Sequence, residues 1–321
     1  MKLQEIYQLA VQMGIESDPR GREAVQKELD KAQKAFAKLD EEEKAYFDRE
    51  TLTNPYADTR ILGGEPDLEV TKLFCGVDIE SGEVAVVDAL NRRGAGINLL
   101  LAHHPEGPAL AALPDVMHLQ SGYLASIGVK PNLAESLMDE RIKEVRKSIG
   151  VTNHLRAVHS AQLLGLAFMC VHTPCDNMVN KFVGDYLAAE QPQTLDDLCK
   201  CLRKIPEYRF SAKQNNPAQI VNGSGSYSVG KIMIDFTGGT SGHKDNIKAL
   251  ADAGISTVIC MHATDGMLES AKAARLNLVI AGHIASDNVG LNLLLDQLEA
   301  AGVEVVAGSG LVRVRRLTMN D

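Results

Sequence analysis

Three apolar runs in this chain end in imidazoles and carboxylates. LLLAHHPEG (residues 99–107) delivers His103 and His104. LAFMCVHTPCD (166–176) delivers His172 and Asp176, and LNLVIAGHIASD (276–287) delivers His283 and Asp287. Neutral imidazoles with carboxylates suit zinc, iron, manganese or cobalt, and a carboxylate can bridge two such ions. Adjacent strand residues point to opposite faces, so neighbouring histidines serve one cavity only where the chain leaves the sheet. Pro105 biases His104 toward an extended exit. Diverging neighbours could then grip two different ions set roughly 3.5–4 Å apart, as in two-metal hydrolases. His283 and Asp287, four residues apart, share one face if the chain turns helical there.

Singly, each residue has an ordinary explanation. A histidine at a strand end is commonly a hydrogen-bonded structural residue, and Asp176 alone reads as a cap or Asx-turn. Their coincidence at three strand ends favours a shared metal site, because ligands of open α/β sheets bind outside the carboxyl ends of the strands. His172 is assigned proton transfer, with a supporting contact to a ligand as the competing role. Cys175 is a weaker, soft-ligand candidate. FTGGTSGHKDN (236–246) has the glycine-rich look of an anion-binding loop, so Gly238, Gly239 and Gly242 are candidate substrate-binding residues. It lacks a Walker lysine-serine ending, and a plain turn is the competing reading. His262 and Asp265 in CMHATDG end another strand and could line the same pocket, though a loop after a buried strand is the favoured reading. His118, His154, His159 and His243 read as ordinary.

The elements that must position these groups follow from hydrophobic period. VTKLFCGVDI (70–79) and INLLLAHH (97–104) read as strands separated by a helix from Ser81 to near Gly94. A helical region covers about 131–165, and LAFMCVH is another strand. A polar stretch rich in Asn, Gly and Ser (212–229) precedes renewed alternation. There VGKIMIDF, STVICMH, LNLVIAGH and VEVVAGS read as strands, with helices over 243–253, 265–274 and 288–301. This is α/β with much of the sheet parallel. INLLLAHHPEG laid over LNLVIAGHIAS matches His104 with His283, which suggests an internal duplication into two related lobes. Residues 1–50 carry apolar positions at helical spacing, Ile6, Leu9, Ala10 and Met13, then Leu29, Ala32 and Phe36, with a break at Asp18–Pro19. The expected division is a helical extension (1–50), a first α/β lobe with a helical insertion (51–215), and a second α/β lobe completing the metal site (216–321).

Composition narrows the class. The 321 residues carry a net charge of −9, which works against nucleic-acid binding. It leaves a small anionic substrate open, because a bound metal inverts the local field. No apolar stretch is long enough to span a membrane, and the N-terminus lacks the pattern of a signal peptide. A cytoplasmic location is expected. The six cysteines, Cys75, Cys170, Cys175, Cys199, Cys201 and Cys260, form no CxxC pair and read as buried reduced thiols.

These residues bring a family into view. GGEPDLEVTKLFCGVDI leading to LLLAHHPEG, then CVHTPCDNMVN, IMIDFTGGTSG and LVIAGHIASDNVGLN, together spanning about 60–315, resemble the Nif-three-like proteins, also called type 2 GTP cyclohydrolase I. The resemblance implies two α/β lobes facing a dinuclear metal site, assembled as toroidal hexamers. It implies His103, His104, Asp176, His283 and Asp287 as ligands of two divalent ions. The family usually has Glu where this chain has Asp287, one methylene shorter, and the family's tryptophan near the N-terminus is missing. The expected function is a metal-dependent hydrolase of a small polar molecule, phosphorylated and nucleotide-like ones included. The rival is a non-catalytic metal-binding protein for regulation, storage or assembly. A small-molecule substrate and a homo-oligomer are the expected partners, with no nucleic acid and no membrane.

Overall fold

The apolar runs become short strands covered on both faces, as continuous rather than alternating hydrophobicity demands. The computed structural model describes residues 1–316, and in it the strands form two sheets. The first holds β1 (Arg60–Gly63), β2 (Lys72–Gly76), β3 (Leu99–Ala102), β4 (Ala167–Cys170) and β9 (Glu304–Ala307). The second holds β5 (Gln219–Asn222), β6 (Ile232–Asp235), β7 (Thr257–Cys260) and β8 (Asn277–Ile280). Their orders are β1-β4-β3-β2-β9 and β5-β8-β7-β6. In each, the first strand runs antiparallel to its neighbour and the others are parallel. Both antiparallel pairings slip register, between Ile61 and Gly63 and between Ile220 and Asn222.

This shared order establishes two related sheets but corrects the register of the repeat. Topology pairs β3 with β7 and β4 with β8, so the counterpart of LLLAHH is TVICMH. His104 answers to His262, whereas the His172–Asp176 and His283–Asp287 pairs are offset by one residue, since Thr173 answers to His283. The sequence overlay matched His104 with His283 because buried strand ends look alike. Those helices, Thr173–Glu190 and His283–Ala300, follow β4 and β8 and pack on each other. A Cβ at Gly290 would lie 2.4 Å from the Cys175 carbonyl oxygen, so only glycine permits this closeness. The second helix starts earlier than the expected 288, because Gly282 at φ +118° lets the chain turn directly from β8.

The Leu3–Ser17 helix inserts Leu3, Ile6, Tyr7, Ala10 and Val11 into the same core as Leu73, Leu101 and Met169. A fully buried leucine there contributes about 1.5–3 kcal/mol. After the break at Asp18–Pro19, the Arg22–Phe36 helix fully buries only Val25. The expected helical region 131–165 resolves into Pro131–Ile149 and Arg156–Leu163. The two antiparallel edge strands and the helices Gly107–Val116, His118–Ser126, Leu195–Lys204 and Pro206–Lys213 had no clear sequence signal. All six cysteines are free, and all but Cys199 are buried. No helix among the described residues is long and apolar enough to cross a membrane.

Candidate metal centre

The ends of β3, β4 and β8 converge between the sheets. Where β3 stops, the His103 and His104 amides donate to the Gly76 and Val77 carbonyls, which extends the ladder just past the strand. His103 is fully buried, and its Nδ1 lies 3.0 Å from the Val171 carbonyl oxygen. A carbonyl only accepts, so Nδ1–H donates and Nε2 is left with a free lone pair. His104 Nδ1 meets Asp78 Oδ1 at 2.6 Å. His172, at the lip of the Thr173–Glu190 helix, sets Nδ1 2.8 Å from Asp58 Oδ2, which also accepts from Thr173 Oγ1 at 2.7 Å. Each of these rings is pinned through Nδ1 and turns Nε2 inward.

The inward atoms meet two carboxylates. His103 Nε2 stands 3.4 Å from Asp176 Oδ1 and 3.5 Å from Asp287 Oδ1. Asp287 Oδ2 lies 3.6 Å from both His104 Nε2 and His283 Nε2. His172 Nε2 lies 3.7 Å from Asp176 Oδ2. These separations are too long for hydrogen bonds. They match two donors on one cation, since ligands about 2.1 Å from an ion at tetrahedral angles stand roughly 3.4 Å apart. Burial sharpens the point: His103 Nε2, Asp176 Oδ1 and both oxygens of Asp287 are buried without a hydrogen-bond partner. An unpaired buried polar atom costs about 1–3 kcal/mol, more when charged, so the donor set fits a cation.

Three overlapping groups offer atoms close enough to share an ion: His103–Asp176–Asp287, His104–His283–Asp287 and His103–His104–His172. Asp287 belongs to the first two, with one oxygen toward each. Its shorter side chain reaches both because its helix begins at His283 and drives it into the interface, where it is 1% exposed.

The local field follows from these contacts. Burial opposes charging of His103, but the Asp287 and Asp176 carboxylates outweigh it and hold the imidazole well above its usual range. Burial also opposes charging of His104, yet Asp287 and Asp78 raise it to about 9. The same histidines hold Asp287 far below the carboxylate range against the cost of its burial. His283 and His262 are lowered, chiefly by burial.

An open cavity adjoins the cluster, bordered on one side by His172, Asp176 and His283. Gly239 borders it too, whereas Gly242 borders a neighbouring cavity and Gly238 packs on Gln120. The 236–242 loop is a turn pinned by Gln120 Nε2, which donates to the Gly238 and Thr240 carbonyls at 2.7 and 2.5 Å. The next helix starts only at Asn246. Sequence reasoning missed Asp58, Asp78 and Asp235. Asp78 and Asp235 stand at the ends of β2 and β6, a position that could have marked them. Asp58 lies in a loop with no such signal. His262, for which a plain loop is the favoured sequence reading over a place in the pocket, borders the cavity with its ring centroid 5.1 Å from that of His283.

No protein-family model and no curated protein matches the sequence. Among solved structures, the fold is similar to that of a NIF3 superfamily protein from Sphaerobacter thermophilus, with 27% identity over 79% of this chain and 92% of that one, at a TM-score of 0.69. Reduced HcgD from Methanocaldococcus jannaschii is similar at 14% identity over 78% and 87% of the two chains, with a TM-score of 0.49. The doubled sheet, the HHP and H-x-x-x-D strand ends and the Sphaerobacter structure agree: the chain is NIF3-like in fold and in its strand-end motifs.

Proposed function

We propose that the protein is a dinuclear metal-dependent hydrolase of a small polar molecule. The observation that carries this is the convergence of inward-facing imidazoles on buried carboxylate oxygens that have no partner in the protein. His103, Asp176 and one oxygen of Asp287 would hold the first divalent ion. His104, His283 and the other oxygen of Asp287 would hold the second. Zinc, iron, manganese and cobalt all suit this set. When bound, such ions lower the pKa of water toward neutrality and polarise the bond under attack.

The chain's own residues supply the rest. Asp58 fixes the tautomer of His172, so Nε2 at the cavity edge accepts a proton and returns it to the leaving group. Asp78 and the Val171 carbonyl orient His104 and His103 in the same way. Gly239 lets the loop backbone approach the ligand, with Gly238 and Gly242 shaping the turn. The reading keeps residues 1–50, 51–215 and 216–321 as extension, first lobe and second lobe, and places a homo-oligomer, a hexamer by resemblance, in the cytoplasm.

The test is metal analysis of protein purified without chelator, then a screen of phosphoesters, nucleotides and cyclic amides. Two equivalents of metal and a turnover absent from Asp287→Ala are expected. Bound metal with no turnover supports the storage or regulatory alternative. A His172→Gln variant that keeps both metals but loses turnover supports proton transfer. Loss of one metal makes His172 a ligand, the role suggested by its grouping with His103 and His104.

A further inference from the structure

The cavity beside the cluster has a second wall that the metal centre does not use. It is made by Asp235 at the end of β6, His262 just past β7, and Thr240 and Ser241 of the intervening loop. At Gly238, Thr240 and Ser241 the loop's hydrogen bonds run through its backbone. Gln120 donates to the Gly238 and Thr240 carbonyls, and Arg141 Nε donates to the Ser241 carbonyl at 3.0 Å. That leaves the Thr240 and Ser241 hydroxyls without a protein partner among the described residues. Asp235 is equally free: burial alone, with no hydrogen bond or neighbouring charge, raises its carboxyl to about 6. His262 is the topological counterpart of His104. It stands edge-on to His283 at the cavity instead of joining the cluster.

Charge narrows what this wall can take. No lysine or arginine borders the cavity among the described residues. The nearby Arg141 is engaged by the Ser241 carbonyl and Glu144. Two divalent ions set against Asp176, Asp287 and Asp235 leave one net positive charge. A triphosphate brings roughly four negative charges and would find no side-chain cation to meet them. An unpartnered carboxylate beside hydroxyls and an imidazole instead calls for N–H donors next to a carbonyl.

We propose that the Asp235–Thr240–Ser241–His262 wall is the recognition subsite for a small unphosphorylated amide, such as a lactam or cyclic ureide. This rests on the dinuclear hydrolase reading and deepens it. Asp235 accepts the substrate N–H, and the hydroxyls and His262 hold its remaining polar edge. In the reaction, the oxygen of water bonds to the carbonyl carbon and the C–N bond breaks. One proton of the water ends on the freed nitrogen, and the other leaves as the product acid ionises.

The test is calorimetric titration of zinc-reconstituted full-length protein with hydantoin and with its N,N′-dimethyl analogue, with inorganic phosphate as the control. Hydantoin should bind, and the dimethyl analogue should bind at least about tenfold more weakly, the scale of one hydrogen bond to a charged group. Asp235→Asn should lose about tenfold for hydantoin while zinc content and phosphate affinity stay unchanged. His262→Gln should weaken hydantoin independently, which guards against a folding defect in the first variant. If zinc-loaded protein ignores hydantoin, or if neither N-methylation nor the two substitutions change its affinity, the subsite is overturned. If the protein takes up no zinc, the dinuclear reading fails and the subsite fails with it. Zinc content measured on the same sample separates the two failures.

Discussion

The two sheets share one strand order and one pairing pattern, yet their strand ends do different things. The first sheet turns His103, His104, His172 and Asp176 onto the cluster. The second contributes His283 and Asp287, and leaves His262 and Asp235 facing open space. His104 and His262 occupy matching places after β3 and β7, but only His104 has an acidic partner behind it, Asp78. Both sheets thus feed the cluster, but at the matched His104 and His262 positions only the first sheet turns its imidazole onto it.

Four experiments break or sharpen that comparison. The largest effect belongs to Asp287→Ala, which removes the carboxylate facing both ion positions. Binding of both metals should fall by more than about 100-fold, read by metal analysis after dialysis, and retention of a full complement would end the two-position arrangement. Next comes the matched pair His104→Ala and His262→Ala. The first should lose one equivalent of metal and the second none, and equal losses would erase the difference between the two positions. Gly290→Ala probes the junction of the two long helices. Its added methyl meets the Cys175 carbonyl at 2.4 Å, so denaturant unfolding should show a loss of about 1–3 kcal/mol.

The smallest effect is the pH response of metal-free protein. The folded state raises His103 well above its usual range and His104 to about 9. A raised folded pKa contributes stability that is complete below the unfolded value of about 6.5 and is lost as pH climbs through the folded one. The metal-free melting temperature should therefore decline between about pH 6.5 and pH 9. Zinc should flatten that decline, and an unchanged slope after zinc addition would separate these histidines from the metal.

Much of this arrangement was legible in sequence. The parallel strands announced themselves as unbroken apolar runs, and their polar endings named His103, His104, Asp176, His283 and Asp287. Spacing also suggested that His283 and Asp287 share a helical face. The antiparallel edge strands were not legible. β5, QIVN, is nowhere fully buried, so it carries no hydrophobic signature. The repeat register failed for a related reason, since burial makes every strand end resemble the next. Asp58 and Asp78 act through histidines distant in sequence, and only the fold brings them within reach. His262 ranks as a pocket candidate below a plain loop, because nothing local distinguishes a histidine that ends at a cavity from one that ends in a turn.

β9 lies against β2 at the far edge of the first sheet, although residues of the whole second sheet separate them in the chain. During synthesis the first sheet therefore waits for β9 until the whole second sheet has been made. Asp287, shared by both ion positions, emerges only shortly before that strand. His103 and Asp176 are exposed to cellular ions long before a complete binding pocket exists. A cation held by these residues would therefore be enclosed only after both sheets have formed and met.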